Sequence, residues 1–180
     1  INFTYRVTLQ DNPKSYILKY YPPYIASIPD VPLSSSRCFF ERHALQKLPS
    51  LLKFSKTPSF ITGTQSINII EDKGILPSLR DTHSPTLIKK IAIWLADLHE
   101  STKSLSKKER DLWNNKDIQR SRKQNQYDSL ANKIDHPQAQ KALRTLGQNL
   151  LQTGVCVIMG DRWPSSILID NQNFWVIDWE

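Results

Sequence analysis

With 180 residues, 39% of them apolar and five of them Trp, the chain has enough hydrophobic material for one core or two small lobes, which excludes a disordered protein. A formal charge of +7 raises a nucleic-acid partner, but the basic residues between 103 and 144 are interleaved with Glu109, Asp111, Asp117, Asp128 and Asp135. That mixture reads as a solvated helical surface, and no apolar run approaches the roughly 20 residues of a membrane span.

No leader pattern is visible near Ile1, and the two cysteines, Cys38 and Cys156, lack metal-site spacing and read as small apolar side chains. The expectation is a cytoplasmic protein without membrane contact.

Apolar residues alternate at Phe3, Tyr5, Val7 and Leu9, predicting a strand. A turn over residues 11–14 leads to a returning strand over 15–21 that carries Lys19. A Pro-rich connection covers residues 22–32. Ser34, Ser35 and Ser36 are N-cap candidates for a helix with Phe40, Ala44 and Leu48 on one face, Glu41 beside it and Pro49 at its end. Strands follow over 59–62 and 65–70 with a turn at Gly63, and residues 71–74 read as a linker.

The remainder is predominantly helical. Leu87, Ile88, Ile91, Ala92, Trp94, Leu95 and Leu98 keep a 3.6-residue period behind the Ser84-Pro85 start signal. A charged stretch runs to about residue 125, and a further helix is expected from Tyr127 and Leu130 to Ile134. Another starts at Pro137, carries Ala142, Leu143, Leu146, Leu150 and Leu151, and is stopped by Gly154. Three short strands are expected over 155–159, 167–169 and 174–177, with Asp161 and Asp178 on or just beyond them.

Burying a carboxylate is costly unless it is paired or binds a metal, so two aspartates at strand ends call for partners. Turn or capping roles account for either alone. Together with a strand Lys, a helical Glu and a linker, they form the order that phosphoryl transfer from a nucleotide requires. In that scheme a Lys neutralises the α/β-phosphates and a Glu orients it. One Asp orients the attacking hydroxyl, and another holds magnesium. An exposed strand lysine at 19 and a solvated helix glutamate at 41 are the structural alternatives.

On Tyr16-Ile-Leu-Lys19, Arg37-Cys-Phe-Phe-Glu41, Ile69-Ile-Glu-Asp72, Trp94-Leu-Ala-Asp-Leu-His99, Gly160-Asp-Arg-Trp-Pro164 and Val176-Ile-Asp-Trp-Glu180, the chain resembles the aminoglycoside phosphotransferase/choline kinase family, especially its fungal members. The resemblance implies an α+β, protein-kinase-like fold. A small antiparallel β lobe over residues 1–73 would bind nucleotide, and residues 74–180 would form a partial helical lobe with a short catalytic β element. It further implies ATP and Mg2+ as cofactors and a small-molecule hydroxyl acceptor as partner. Lys19 would contact the phosphates and pair with Glu41, and the backbone of Glu71, Asp72 and Lys73 would face the adenine. Asp161 would be the catalytic Asp, and Asp178, with Ser166, would hold the metal. His43 and His99 are read as structural.

Three features depart from the family pattern. Met159 stands for a usual His, Ser165 for a Gly and Ser166 for an Asn. No Gly precedes Gly63, so no glycine-rich phosphate loop is visible, and the chain stops two residues after Asp178. The expectation is a fragment or a degenerate relative, with a catalytically inactive pseudokinase acting as a nucleotide-binding or interaction module as the alternative function.

Overall fold

Alternation at the N-terminus produces an antiparallel hairpin of β1 (Phe3–Leu9) and β2 (Asn12–Tyr20), in which Thr4 lies opposite Lys19. The computed structural model describes residues 2–54, 56–82, 84–152, 154, 156–158 and 164–179. The expected turn is shorter than the spacing predicts. Gln10 and Asp11 alone make it, and a register shift between Thr8 and Leu9 absorbs the difference.

On its other side β2 pairs with β6 (Ile67–Glu71), which pairs with β5 (Phe60–Gly63), giving the order β1-β2-β6-β5. Lys19 therefore stands on an interior strand, opposite Asn68 of β6. The Pro-rich connection is itself structured, as a small hairpin of β3 (Tyr24–Ile25) and β4 (Ile28–Pro32). Its anchor is Arg37, a fully buried guanidinium that donates to the carbonyls of Tyr24, Leu33 and Ser34 and to Asn2 Oδ1.

Helix α1 (Arg37–Leu51) runs through Pro49 instead of ending there. A proline costs one amide donor, but its φ suits a helix, and the helix stops two residues later with Leu52 N–H still bonded to Leu48 O at 3.0 Å. Its buried face holds Arg37, Cys38, Glu41, Ala44, Leu45 and Leu48, so Glu41 lies on that face and not beside it.

Helix α2 (Pro85–Lys103) begins where Ser84-Pro85 predicts, with Ser84 Oγ accepting from Leu87 N–H. It buries Leu87, Ile91, Trp94, Leu98 and Thr102, one residue per turn, and leaves Ile88 and Ala92 of the expected apolar set exposed. After α3 (Lys107–Asp111) and α4 (Lys116–Arg122), a wide π-helical stretch over Lys123–Asp128 leads into α5 (Ser129–Ala131), which stops short of Ile134.

Helix α6 (Pro137–Asn149) ends five residues before Gly154, which is not its stop. Ala142 and Leu146, expected on its apolar face, are exposed; Gly147 is the buried position. A Cβ at Gly147 would lie 2.8 Å from Tyr127 Cβ, so glycine is what lets α6 approach the π-helical stretch.

Two of the three C-terminal strands form, β7 (Ile167–Asp170) and β8 (Asn173–Val176). Cys156, Val157 and Ile158 are not strand, because Val157 N–H is taken by Thr102 Oγ1 at 2.9 Å and not by a neighbouring strand. The core unites α1, β6, α2 and the β7–β8 hairpin. Trp94 stands edge-on to Phe174 at 5.9 Å and to Trp179 at 6.0 Å, and donates through Nε1 to Phe54 O. Trp94→Ala is expected to cost about 3–5 kcal/mol in denaturant unfolding. The hairpin is held to residues 56 and 77 by Val176 N–H to Lys56 O at 2.6 Å and Ile169 N–H to Pro77 O at 2.7 Å.

Candidate active site

Three sequence-distant side chains converge between β2, α1 and the residues after β8. Lys19 Nζ lies 2.7 Å from Glu41 Oε1 and 2.6 Å from Asp178 Oδ1. Lys19 is 3% exposed and Glu41 1%, which removes the readings of an exposed lysine and a solvated glutamate. Burial pushes the Glu41 carboxyl above the ordinary glutamate range against the pull of Lys19, and the charge of Asp178 pushes the same way. The Trp179 backbone N–H donates to Glu41, whereas its Oε2 has no hydrogen-bond partner among the described residues.

Asp178 adopts φ +61, a left-handed conformation that a non-glycine residue adopts only at a cost. That backbone twist follows β8 closely. The Asp178 side chain is 44% exposed, so one carboxylate of the trio faces the buried lysine and still reaches solvent. Ser166 is buried and precedes β7, and its carbonyl accepts from Ile177 N–H at 3.0 Å. The hairpin thus brings the Ser166 backbone beside the residue that precedes Asp178. Asp161 and Met159 lie outside the described residues.

Glu71 ends β6, and Asp72 and Lys73 follow directly. Their side chains are engaged within the protein, which leaves the nucleotide expectation to the main chain. Glu71 Oε2 accepts from Ser59 N–H, and Lys73 Nζ sits 2.6 Å from Glu71 Oε1 and 3.5 Å from the centroid of the Trp175 ring. Asp72 accepts from Arg6 at 2.5 Å, from Ser15 at 2.6 Å and from the Gly74 amide at 2.8 Å. Gly74 has φ +85, the left-handed region that favours glycine, so the segment turns sharply as it leaves the sheet.

The Arg6 guanidinium and the Ser15 hydroxyl hold the Asp72 carboxyl below the ordinary aspartate value. A depressed carboxylate contributes stability that is present above the unfolded value and lost as pH falls through the folded one. Asp72→Asn is therefore expected to lower stability by about 1–2 kcal/mol at neutral pH and to flatten the acid limb of unfolding. Melting temperatures of the two chains from pH 7 down to pH 2 would check this, with the gap closing at the acid end.

Two supporting residues are absent from the sequence-based expectations. Asn68, fully buried, accepts from Arg42 and Cys38 and donates to Cys38 O, binding α1 to the strand that faces Lys19. Thr102, also fully buried, donates to Leu98 O and accepts from Val157 N–H, fixing the backbone four residues ahead of Asp161. Thr102 carries a visible signal, since it continues the spacing of the core positions Ile91, Trp94 and Leu98. His43 packs between Phe39 and Trp113, and burial lowers its pKa.

The fold is protein-kinase-like: a small antiparallel β lobe and a predominantly helical lobe carrying a short β element. Among the solved structures it is similar to are two phosphotransferases. The AMP-bound complex of spectinomycin phosphotransferase, APH(9)-Ia, matches with a TM-score of 0.57 at 16% identity, over 98% of this chain and 61% of that one. The streptomycin–ATP ternary complex of APH(2")-IIa matches with a TM-score of 0.51 at 18% identity, over 99% of this chain and 66% of that one. The chain thus spans less than two thirds of either neighbour's length. No protein-family model matches the chain, and no curated protein matches it in sequence.

Proposed function

We propose that the chain is part of an aminoglycoside phosphotransferase-like kinase that transfers the γ-phosphoryl group of ATP to a hydroxyl of a small molecule. The observation that carries this reading is the buried Lys19 bonded at once to Glu41 and Asp178. Residues 1–73 would form the nucleotide-binding lobe and residues 74–180 the partial C-terminal lobe. Lys19, fixed by Glu41, would meet the α/β-phosphates, and the backbone of residues 71–73 would meet the adenine. Asp161 would accept the proton of the attacking hydroxyl as its oxygen bonds to the γ-phosphorus and the bond to the β-phosphate oxygen breaks, releasing ADP.

The donor chemistry fits magnesium. No cluster of three or more His, Cys, Asp or Glu forms a metal cage among the described residues, but magnesium commonly uses one or two carboxylates with phosphate oxygens and water. Asp178 would supply the carboxylate and Ser166 a neutral oxygen, and an ion bound there would neutralise phosphate charge. A cytoplasmic location is part of this proposal. No described helix is long and apolar enough to cross a membrane.

ADP release in the presence of ATP, magnesium and hydroxyl acceptors tests the reading. Asp161→Asn is expected to lower turnover by about 100-fold or more and to leave ATP affinity within a few-fold of the parent. ATP binding without turnover in the parent chain would instead support the pseudokinase reading, which Met159 and Ser166 motivate.

A further inference from the structure

Helix α1 presents different sides to different parts of the molecule. Its buried face carries Glu41 to Lys19, and Arg37 and Asn68 tie that face to the β lobe. On the other side, Ser36, Phe39, Phe40 and His43 follow the i, i+3, i+4, i+7 spacing of one helix edge. This edge meets the segment that follows α2. The His43 ring stacks on Phe39 at 5.8 Å and stands edge-on to Trp113 at 4.8 Å. Two turns earlier, Ser36 Oγ donates to Asp117 Oδ2 at 3.4 Å.

Trp113 is held in place by its own segment. Ser106 and Glu109 cap α3 reciprocally, Arg110 donates to Leu105 O at 2.6 Å, and Trp113 N–H continues the turn onto Arg110 O at 3.0 Å. Just beyond, Asn115 Oδ1 caps α4 by accepting from Ile118 N–H at 3.2 Å. The half-buried indole also lines one cavity with Phe40 and Trp179, the chain neighbours of Glu41 and Asp178. It therefore stands where α1 and the residues after β8 come together. A packed ring resists displacement of the helix edge, whereas an edge facing a void loses the partner atoms that hold it.

We infer that Trp113 is a positioning residue: through His43 it holds the outer edge of α1 against the helical lobe and so keeps the buried Lys19–Glu41 pair at Asp178. Its consequence for turnover rests on the kinase reading above, and its effect on Lys19 does not. Trp113 acts through packing alone. Lys19 Nζ reaches Asp178 Oδ1 at 2.6 Å because α1 and the residues after β8 keep their spacing.

The reactivity of Lys19, 3% exposed, is the direct measure. Acetylation of native protein by acetic anhydride, read at Lys19 by mass spectrometry, is expected to be faster by about tenfold or more in Trp113→Ala. His43→Ala removes the contact from the α1 side and should shift the rate in the same direction; it decides the matter should Trp113→Ala fail to fold. Trp113→Phe keeps an aromatic ring and should stay within about twofold of the parent. Gly147→Ala strains the packing of α6 against Tyr127 and controls for destabilisation alone, with a lower melting temperature and unchanged Lys19 reactivity expected. ADP release under the conditions above is expected to fall by about tenfold in Trp113→Ala and to recover in Trp113→Phe. Lys19 reactivity equal in the parent, Trp113→Ala and His43→Ala, or raised as much by Gly147→Ala, would overturn the inference. The expected reactivity pattern in a chain that releases no ADP upholds the positioning role and rejects the kinase reading alone.

Discussion

Lys19→Met is expected to destabilise the protein by about 3–5 kcal/mol and to lower ATP turnover by about 100-fold or more. The reason is the environment of the ammonium. Lys19 is almost completely buried, and both of its carboxylate partners lie within 2.7 Å. Methionine fills similar space but leaves Glu41 buried without a counter-charge, which favours its protonation. Asp178, 44% exposed, keeps access to water, so the penalty concentrates on Glu41. A second substitution separates stability from chemistry. In Lys19→Met/Glu41→Leu the buried pair becomes apolar, and stability should recover most of the loss while turnover stays absent. Denaturant unfolding and ADP release on the same preparations check both halves. Recovery of turnover in the double variant would show that Lys19 acts only as a structural cation.

Asp178 carries the second large effect, because its backbone and its carboxylate make separate demands. Asp178→Asn keeps a side chain that tolerates φ +61, so the fold should melt within about 1 kcal/mol of the parent. Turnover should nevertheless fall by about 100-fold or more, since asparagine has the shape but not the charge. Asp178→Ala should lose the same activity and about 1 kcal/mol more of stability, from the strain of a Cβ residue without local hydrogen bonding in the left-handed region. Equal melting of the Asn and Ala variants would contradict the backbone strain at this position. Normal turnover in Asp178→Asn would contradict the role of its charge.

Much of this site is legible in the chain because its members sit on elements with strong local signals. Lys19 falls in an alternating strand and Glu41 in a helix whose apolar spacing places it near the buried face. Asp178 follows a short apolar run. The bond between Lys19 and Asp178 is not legible, because it joins residues 159 positions apart and depends on how the β7–β8 hairpin docks on α2. Arg37 and Asn68 escape notice for a different reason. Hydropathy assigns such residues to the surface, and only the completed fold shows that the carbonyls of residues 24, 33 and 34 need a buried donor.

The departures from expectation have equally local causes. Residues 155–159 look like a strand by composition, but in the described part Thr102 takes the Val157 amide that a partner strand would need. In α6 the helical period is right and the expected burial is not. Leu146 is 55% exposed, because the helix approaches its neighbour through Gly147, a residue that hydropathy cannot mark as an interface. Pro49 looks like a stop, although a proline in the last turn of a helix removes only one donor.

If Lys19, Glu41 and Asp178 form the phosphate and metal end of a nucleotide site, ATP affinity must depend on magnesium through Asp178. Calorimetric titration of ATP into the chain and into Asp178→Asn, each with and without magnesium, tests this most directly. Saturable ATP binding is expected to strengthen by about tenfold or more when magnesium is added, and Asp178→Asn is expected to lose that gain. ATP affinity that is the same with and without magnesium, and the same in both chains, would contradict it.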